Sequence, residues 1–245
     1  MKKIETEKRG LSTMTSSIEF ADNYNFWIIE KFSPFFGNRI LEIGTGHGNF
    51  KKFISNYDLY VSCDIDKAVI QKAKNNDVSG IYMETDVCSN DFVSKMCDFG
   101  FDTIICVNVI EHIKNDKKAI SNMMASLIHG GHLLLFVPAF QLLYNDLDLL
   151  AGHYRRYYKG NLLKLLRFDS CQIKLLQYFN SLGGIGWLMN RLFSHKDLDS
   201  ANINRQMQLF DKYGVPISRK LDMIFHNIFG QSVICVIKKK EVFND

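Results

Sequence analysis

Between residues 39 and 137, short apolar runs alternate with amphipathic stretches. Runs such as Ile40–Ile43, Tyr60–Cys63 and Ile104–Val107 are only a few residues long and nearly free of charge. They read as strands covered on both faces. The stretches between them place apolar residues three and four positions apart, the spacing of a helix with one buried stripe. Within 115–128, Ile120, Met123, Met124, Leu127 and Ile128 follow that spacing, and Gly130-Gly131 is expected to stop the helix. His132 to Val137 is then another continuously apolar strand. The alternation predicts a parallel sheet with crossover helices, and residues 171–178 and 231–237 read as a closing antiparallel pair.

Two regions fall outside this repeat. Residues 1–36 precede the first strand, and Tyr24-Asn25-Phe26-Trp27-Ile28-Ile29 begins an amphipathic helix ending near Pro34. That helix either closes over a ligand as an N-terminal cap or packs on the sheet. Residues 180–229 interrupt the last two strands, inside a main domain of 37–245 with its core at 37–140 and a loop at 141–160. The insertion holds an apolar, glycine-rich patch, Gly183–Asn190, too short to span a bilayer. A role in lining a pocket or packing on the core is favoured over contact with a membrane surface.

Composition narrows the functional classes. At 245 residues and 47% apolar, the chain can bury one sizeable core. A net charge of +4 is mild, and no basic stripe interleaved with aromatics argues for nucleic acid. The start, Met1-Lys2-Lys3-Ile4, lacks the apolar core of a signal peptide. The six cysteines stand at 63, 88, 97, 106, 171 and 235, without metal-ligand spacing. They read as small hydrophobes in a reducing cytoplasm, and no zinc site is expected.

The candidate chemistry starts at Glu42-Ile43-Gly44-Thr45-Gly46-His47-Gly48. An apolar strand ends in an acid, turns through alternate glycines and enters an amphipathic segment, which is how α/β proteins hold a nucleotide. Asp64 lies 20 positions (64 − 44) after Gly44, a spacing suited to a carboxylate on ribose hydroxyls. A dinucleotide fingerprint would need glycine at 49, where this chain has Asn49. A nicotinamide cofactor is therefore the least favoured of the alternatives.

With Glu42 two residues ahead of Gly44, the loop resembles motif I of the class I S-adenosylmethionine-dependent methyltransferases. The resemblance continues in order through Tyr60–Asp66, Thr85-Asp86-Val87, Phe101–His112 and Gly130–Pro138, over roughly the first 140 residues. It implies a seven-stranded, mostly parallel, Rossmann-like sheet with helices on both faces and the last strand inserted antiparallel between its neighbours. It implies S-adenosyl-L-methionine as methyl donor, S-adenosyl-L-homocysteine as product, and a cofactor set of Glu42, Gly44, Thr45, Gly46, Gly48, Asp64, Ile65, Asp86, Val87 and Asn108. Asp64 would hold the ribose and Asp86 the adenine amino group. Glu42 would hold the loop amides or sense the cationic tail.

Methyl transfer needs alignment more than a conspicuous catalytic group, and a base only for an acceptor of high pKa. Two histidines are candidates. Glu111-His112 follows the fourth strand; in the ubiquinone-pathway O-methyltransferases a similar loop has an extra acid three residues earlier, and these groups have been linked to a metal. Here that position is Asn108, so no metal is expected. His153 lies in Gly152-His153-Tyr154-Arg155-Arg156-Tyr157, a stretch similar to one found in a group of bacterial methyltransferases. Tyr144, Arg155 and Arg156 could bind an acceptor's carboxylate or phosphate. Alternatively, the arginines could simply pair with Asp146 or Asp148. The expected acceptor is a small or lipid- or glycan-linked molecule methylated at oxygen in the cytoplasm, the alternative being a cofactor-binding subunit without turnover. The sequence leaves the oligomeric state open.

Overall fold

A computed structural model describes residues 21–166, 170–190 and 201–241. Helix α1 (Asp22–Phe32) leads into strand β1 (Arg39–Ile43). Next come β2 (Leu59–Asp64), α2 (Lys67–Asn76), β3 (Ile81–Glu84) and the short α3 (Phe92–Met96). Then follow β4 (Phe101–Val107), α4 (Asp116–Ser126) and β5 (Leu127–Pro138). Two short helices, α5 (Asp146–Leu150) and α6 (Lys159–Leu165), precede β6 (Cys171–Phe179). The insertion carries α7 (Ser181–Asn190), α8 (Ala201–Leu209), a π-turn at Phe210–Gly214 and α9 (Val215–Phe225) before β7 (Ser232–Lys239).

The strands form one sheet in the order β3-β2-β1-β4-β5-β7-β6. The first five are parallel, and β7 runs antiparallel between β5 and β6. This is the seven-stranded arrangement expected from the sequence. The chain crosses from one half of the sheet to the other between β1 and β4, which opens a crevice at their carboxyl ends.

The sheet has a core on each face. On one, Ile104, Leu133 and Leu135 meet Ile120 and Met123 of α4. On the other, α1 presents Trp27, Ile28 and Phe32 to Ile40, Phe136 and Phe179. The Trp27 ring lies 3.9 Å from that of Phe179. Fully burying such side chains contributes about 1.5–3 kcal/mol each, so the described part of the N-terminal region is a helix packed on the sheet. Residues 1–20 of the expected cap lie outside the described residues.

One boundary differs from expectation. Helix α4 stops at Ser126, before the glycine pair, and β5 begins at Leu127. Ser126 Oγ donates to Asn122 O at 2.9 Å, and Leu127 turns extended to pair with Phe101. Ile128, assigned to the buried stripe, is 47% exposed. The glycines serve the strand. A Cβ at Gly131 would meet Asp102 O at 2.9 Å, where the β4–β5 register shifts. Close backbone approach, rather than helix termination, explains glycine there.

Candidate active site

The glycine loop leaves β1 at the crevice. Gly44 has φ +74°, and any side chain there would also collide with Val109 Cγ2. Both conditions demand glycine. Gly44 N and Thr45 N donate to Cys63 O at 2.8 and 3.1 Å, tying the turn to the end of β2. Asp64, the last residue of β2, is buried. Its Oδ2 accepts from Gly46 N at 3.3 Å and its Oδ1 from Asp66 N at 2.9 Å. Burial raises its pKa, and those amides pull the other way.

Glu42 lies beneath the loop. Its Oε2 accepts from Thr45 Oγ1 at 3.2 Å and Ser62 Oγ at 3.1 Å, so it holds the loop through a hydroxyl. Its Oε1 is buried without a hydrogen-bond donor. Burial pushes this carboxyl up to about 7, against the hydrogen bonds from its neighbours. Farther along the rim, Ile65 is 41% exposed and Val87 is buried. Asp86 Oδ1 accepts from Cys88 N at 2.7 Å. Asn108, at φ +52°, donates its backbone N–H to Phe136 O at 2.8 Å. The strand ends thus bring the sequence-predicted cofactor residues to one edge.

A second cluster forms beyond β4 and β5. The segment after β5 returns to the sheet, with Tyr157 N donating to Pro138 O at 2.8 Å and Phe140 N to Tyr157 O at 3.0 Å. Between these ties, Asp148 is fully buried on α5. Its Oδ1 accepts from His153 Nδ1 at 2.7 Å and Arg156 Nε at 2.8 Å. Its Oδ2 accepts from Asn145 N at 3.1 Å, capping α5, and from Trp187 Nε1 at 3.4 Å. Burial opposes the charge on Asp148, but His153 and Arg156 bring its pKa below the ordinary carboxylate value. Arg156 is itself buried and lies 4.9 Å from the Trp187 ring.

The 2.7 Å contact to Nδ1 leaves His153 Nε2 as the ring's other nitrogen, 4.0 Å from Glu111 Oε1. Glu111 is fully buried, and neither carboxylate oxygen has a hydrogen-bond partner. Burial lifts it to about 7. His112 sits edge-on to the His153 ring at 4.6 Å. Burial first, and then His153, lower its pKa to about 3, so it is neutral at working pH. The ligand atoms of Glu111, His112 and His153 lie within 4.8 Å of one another, close enough for the three to hold a divalent cation.

The structure gives the remaining candidates internal partners. Tyr144 Oη donates to His153 O at 2.8 Å. Arg155 Nη1 pairs with Asp116 Oδ2 at 2.6 Å and Nη2 donates to Lys114 O at 3.0 Å. Arg156 pairs with Asp148. Motif reading missed Asp148, held back as a bare pairing partner, and Trp187. A carboxylate five residues before a histidine, inside Asn145-Asp146-Leu147-Asp148, was the available signal; nothing local marks Trp187.

The methyltransferase-domain family model matches residues 18–189, and the chain belongs to that family. No curated protein matches it in sequence. Among solved structures it is similar to a putative methyltransferase from Bacillus halodurans, at 17% identity and TM-score 0.59, covering 89% of this chain and 100% of the other. It is also similar to a SAM-dependent methyltransferase from Archaeoglobus fulgidus, at 15% identity and TM-score 0.54, covering 89% and 94%. A third similar structure is the plantazolicin methyltransferase BpumL in complex with SAH, at 13% identity and TM-score 0.53, covering 92% and 84%.

Proposed function

We propose that the protein transfers a methyl group from S-adenosylmethionine to an oxygen of a small or lipid- or glycan-linked acceptor, with His153 as general base. The donor supplies a methyl carbon on a sulfonium, whose sulfur leaves as a neutral thioether. The rim suits its adenosyl and amino-acid parts. Asp64 is a buried carboxylate for two sugar hydroxyls, Gly48 opens on space a side chain would fill, and the orphaned Glu42 Oε1 is an acceptor for a cationic tail. Asp86 and Asn108 are assigned to the base and the tail's far side.

The Asp148–His153 hydrogen bond carries the catalytic reading. A carboxylate on Nδ1–H fixes the tautomer and leaves the Nε2 lone pair to take the acceptor's proton. As the acceptor oxygen gains the methyl group, its proton passes to Nε2. The resulting imidazolium lies between Asp148 and Glu111. Arg156 holds Asp148 and acts by positioning. Neutral His112 holds the His153 ring in place, and Tyr144 anchors the backbone of that residue. Arg155 remains the candidate for an anionic group on the acceptor, at the expense of its pair with Asp116.

The test is S-adenosylhomocysteine release with a panel of phenol, carboxylic acid and polyprenyl phosphate acceptors, beside calorimetric binding of S-adenosylhomocysteine. His153→Ala should lower turnover by about 10²–10⁴-fold and leave product affinity unchanged. A chelator should leave wild-type turnover intact. Equal turnover in the variant removes His153 as base, and loss of activity on chelation reassigns it as a metal ligand. Turnover with no acceptor on the panel, despite normal binding, would favour a non-catalytic subunit.

A further inference from the structure

Helix α9 is built inside out. A surface helix of a globular protein normally turns its apolar stripe to the core and its polar stripe to water. In α9 the stripe packed inward is Val215, Ser218 and Asp222, two of them polar. The opposite stripe contains Ile217, Ile224 and Met223, exposed by 53%, 69% and 78%. The neighbouring α7, packed against α9 and against the turn at Gln141–Leu143, repeats the inversion. Ser181 and Gly184 are on its inner side, while Ile185 and Met189 are 50% and 58% exposed. Large apolar groups gathered on a solvent-exposed face in this way mark an interaction surface.

Charge selects the occupant. Among the described residues of the insertion, Arg205, Lys212 and Lys220 are the exposed charged side chains, and all are cations. The two carboxylates among these described residues, Asp211 and Asp222, point inward to helix N-termini. Asp211 accepts from Asn23 N at 3.2 Å and Tyr24 N at 2.8 Å. Asp222 accepts from Asn180 N at 2.7 Å and Ser181 N at 2.8 Å. Apolar side chains flanked by exposed cations, with Glu30 of α1 pairing Arg219 at the edge of α9, match the interfacial zone of a negatively charged bilayer, where apolar burial and lipid phosphate attraction add. Among the described residues no helix is long and apolar enough to cross a membrane, so the contact is a surface one.

We infer that the exposed face of α7 and α9 seats the protein on an anionic membrane and that its acceptor is an amphiphile drawn from that surface. The second half rests on the methyl-transfer reading. Its structural basis is Trp187, on α7 itself, which touches both Asp148 and Arg156. The helix that would lie at the interface thus reaches the side chains that orient His153. An acceptor with its tail in lipid and its polar end at this cluster has no water gap to cross.

The experiment is co-sedimentation of the full chain with vesicles of phosphatidylcholine alone or mixed with phosphatidylglycerol. Binding is expected to the mixed vesicles and to weaken as salt rises. Met223→Glu/Ile224→Glu should lower it by at least about tenfold, since two charges then face the interface, with S-adenosylhomocysteine affinity in vesicle-free solution unchanged. Lys220→Glu, which leaves the apolar stripe intact, should weaken binding to mixed vesicles alone. Wild-type protein left in the supernatant with both compositions overturns the inference. So does equal binding by the Met223/Ile224 variant, or a wild-type dimer that this variant dissolves, which would make the face a contact between copies. Failure to bind S-adenosylhomocysteine while vesicle binding persists would instead strike the proposed function.

Discussion

The two halves of the crevice are made differently. On the cofactor side, Glu42, the glycine turn and Asp64 follow one another along β1 and β2, and their hydrogen bonds stay within that strand pair. On the acceptor side, Asp148 joins His153, Arg156 and Trp187 from the β5–α6 segment and from α7. Glu111 and His112 come from the loop after β4. One half is a local motif repeated at strand ends, and the other joins separate segments around two buried carboxylates, Asp148 and Glu111. Damage should therefore stay local in the first and spread in the second.

The largest contrast is expected from Asp148→Ala. It leaves the buried Arg156 guanidinium unpaired, a loss of about 3–5 kcal/mol, and frees His153. Thermal or urea unfolding should show the full loss. The fraction that stays folded should bind S-adenosylhomocysteine normally; a weakened cofactor site would mean that the two halves are coupled. Next comes Asp64→Ala. If that carboxylate holds the sugar hydroxyls as proposed, its removal should cost about 2–3 kcal/mol of binding, roughly 30- to 150-fold, with a smaller change in stability. Undiminished affinity would break the cofactor assignment.

The smallest effect is a pH dependence. In the free protein Glu42 is lifted by burial to about 7, so below that pH it carries a proton. A cationic tail favours the carboxylate, and binding must then expel the proton. Affinity for S-adenosylhomocysteine should rise as pH increases toward about 7 and level off above it, by up to about tenfold per pH unit. Glu42→Gln should flatten that slope. Folding has the opposite sense: an acid raised in the native state is most favourable to stability below its unfolded value near 4.5, and that contribution is lost as pH rises to about 7. A slope that persists in the glutamine variant points to Glu111, which burial lifts equally.

This division also explains what could be read from the chain. The sheet was legible because its inner strands carry nearly unbroken apolar runs, such as Ile104–Val107 and Leu133–Val137, and the rim residues because they sit at fixed distances from those runs. The α4 boundary was misplaced because the glycines answer to a neighbouring strand, a tertiary demand with no local mark. Asp148 was seen only as a pairing partner, since its burial depends on a loop that folds back against β5. Composition does not tell an inward stripe from an outward one: within the apolar patch of the insertion, Trp187 packs toward Asp148 and Arg156 while Ile185 and Met189 face out. In α9 it is the polar pair, Ser218 and Asp222, that points in.

At Tyr157 the chain returns to the sheet edge it left after Pro138. Two backbone hydrogen bonds to Pro138 and Phe140 clamp the base of the excursion between them, and Tyr154 N ties its far side to Glu111 O at 2.8 Å. Doubling the length of a flexible excursion raises its closure entropy by only about 0.6 kcal/mol. Length is therefore the tolerant variable and identity is not: a graft of 141–156 would carry the proposed base with it and would have to bring matching partners for Asp116 and Trp187, while the nucleotide half could stay unchanged.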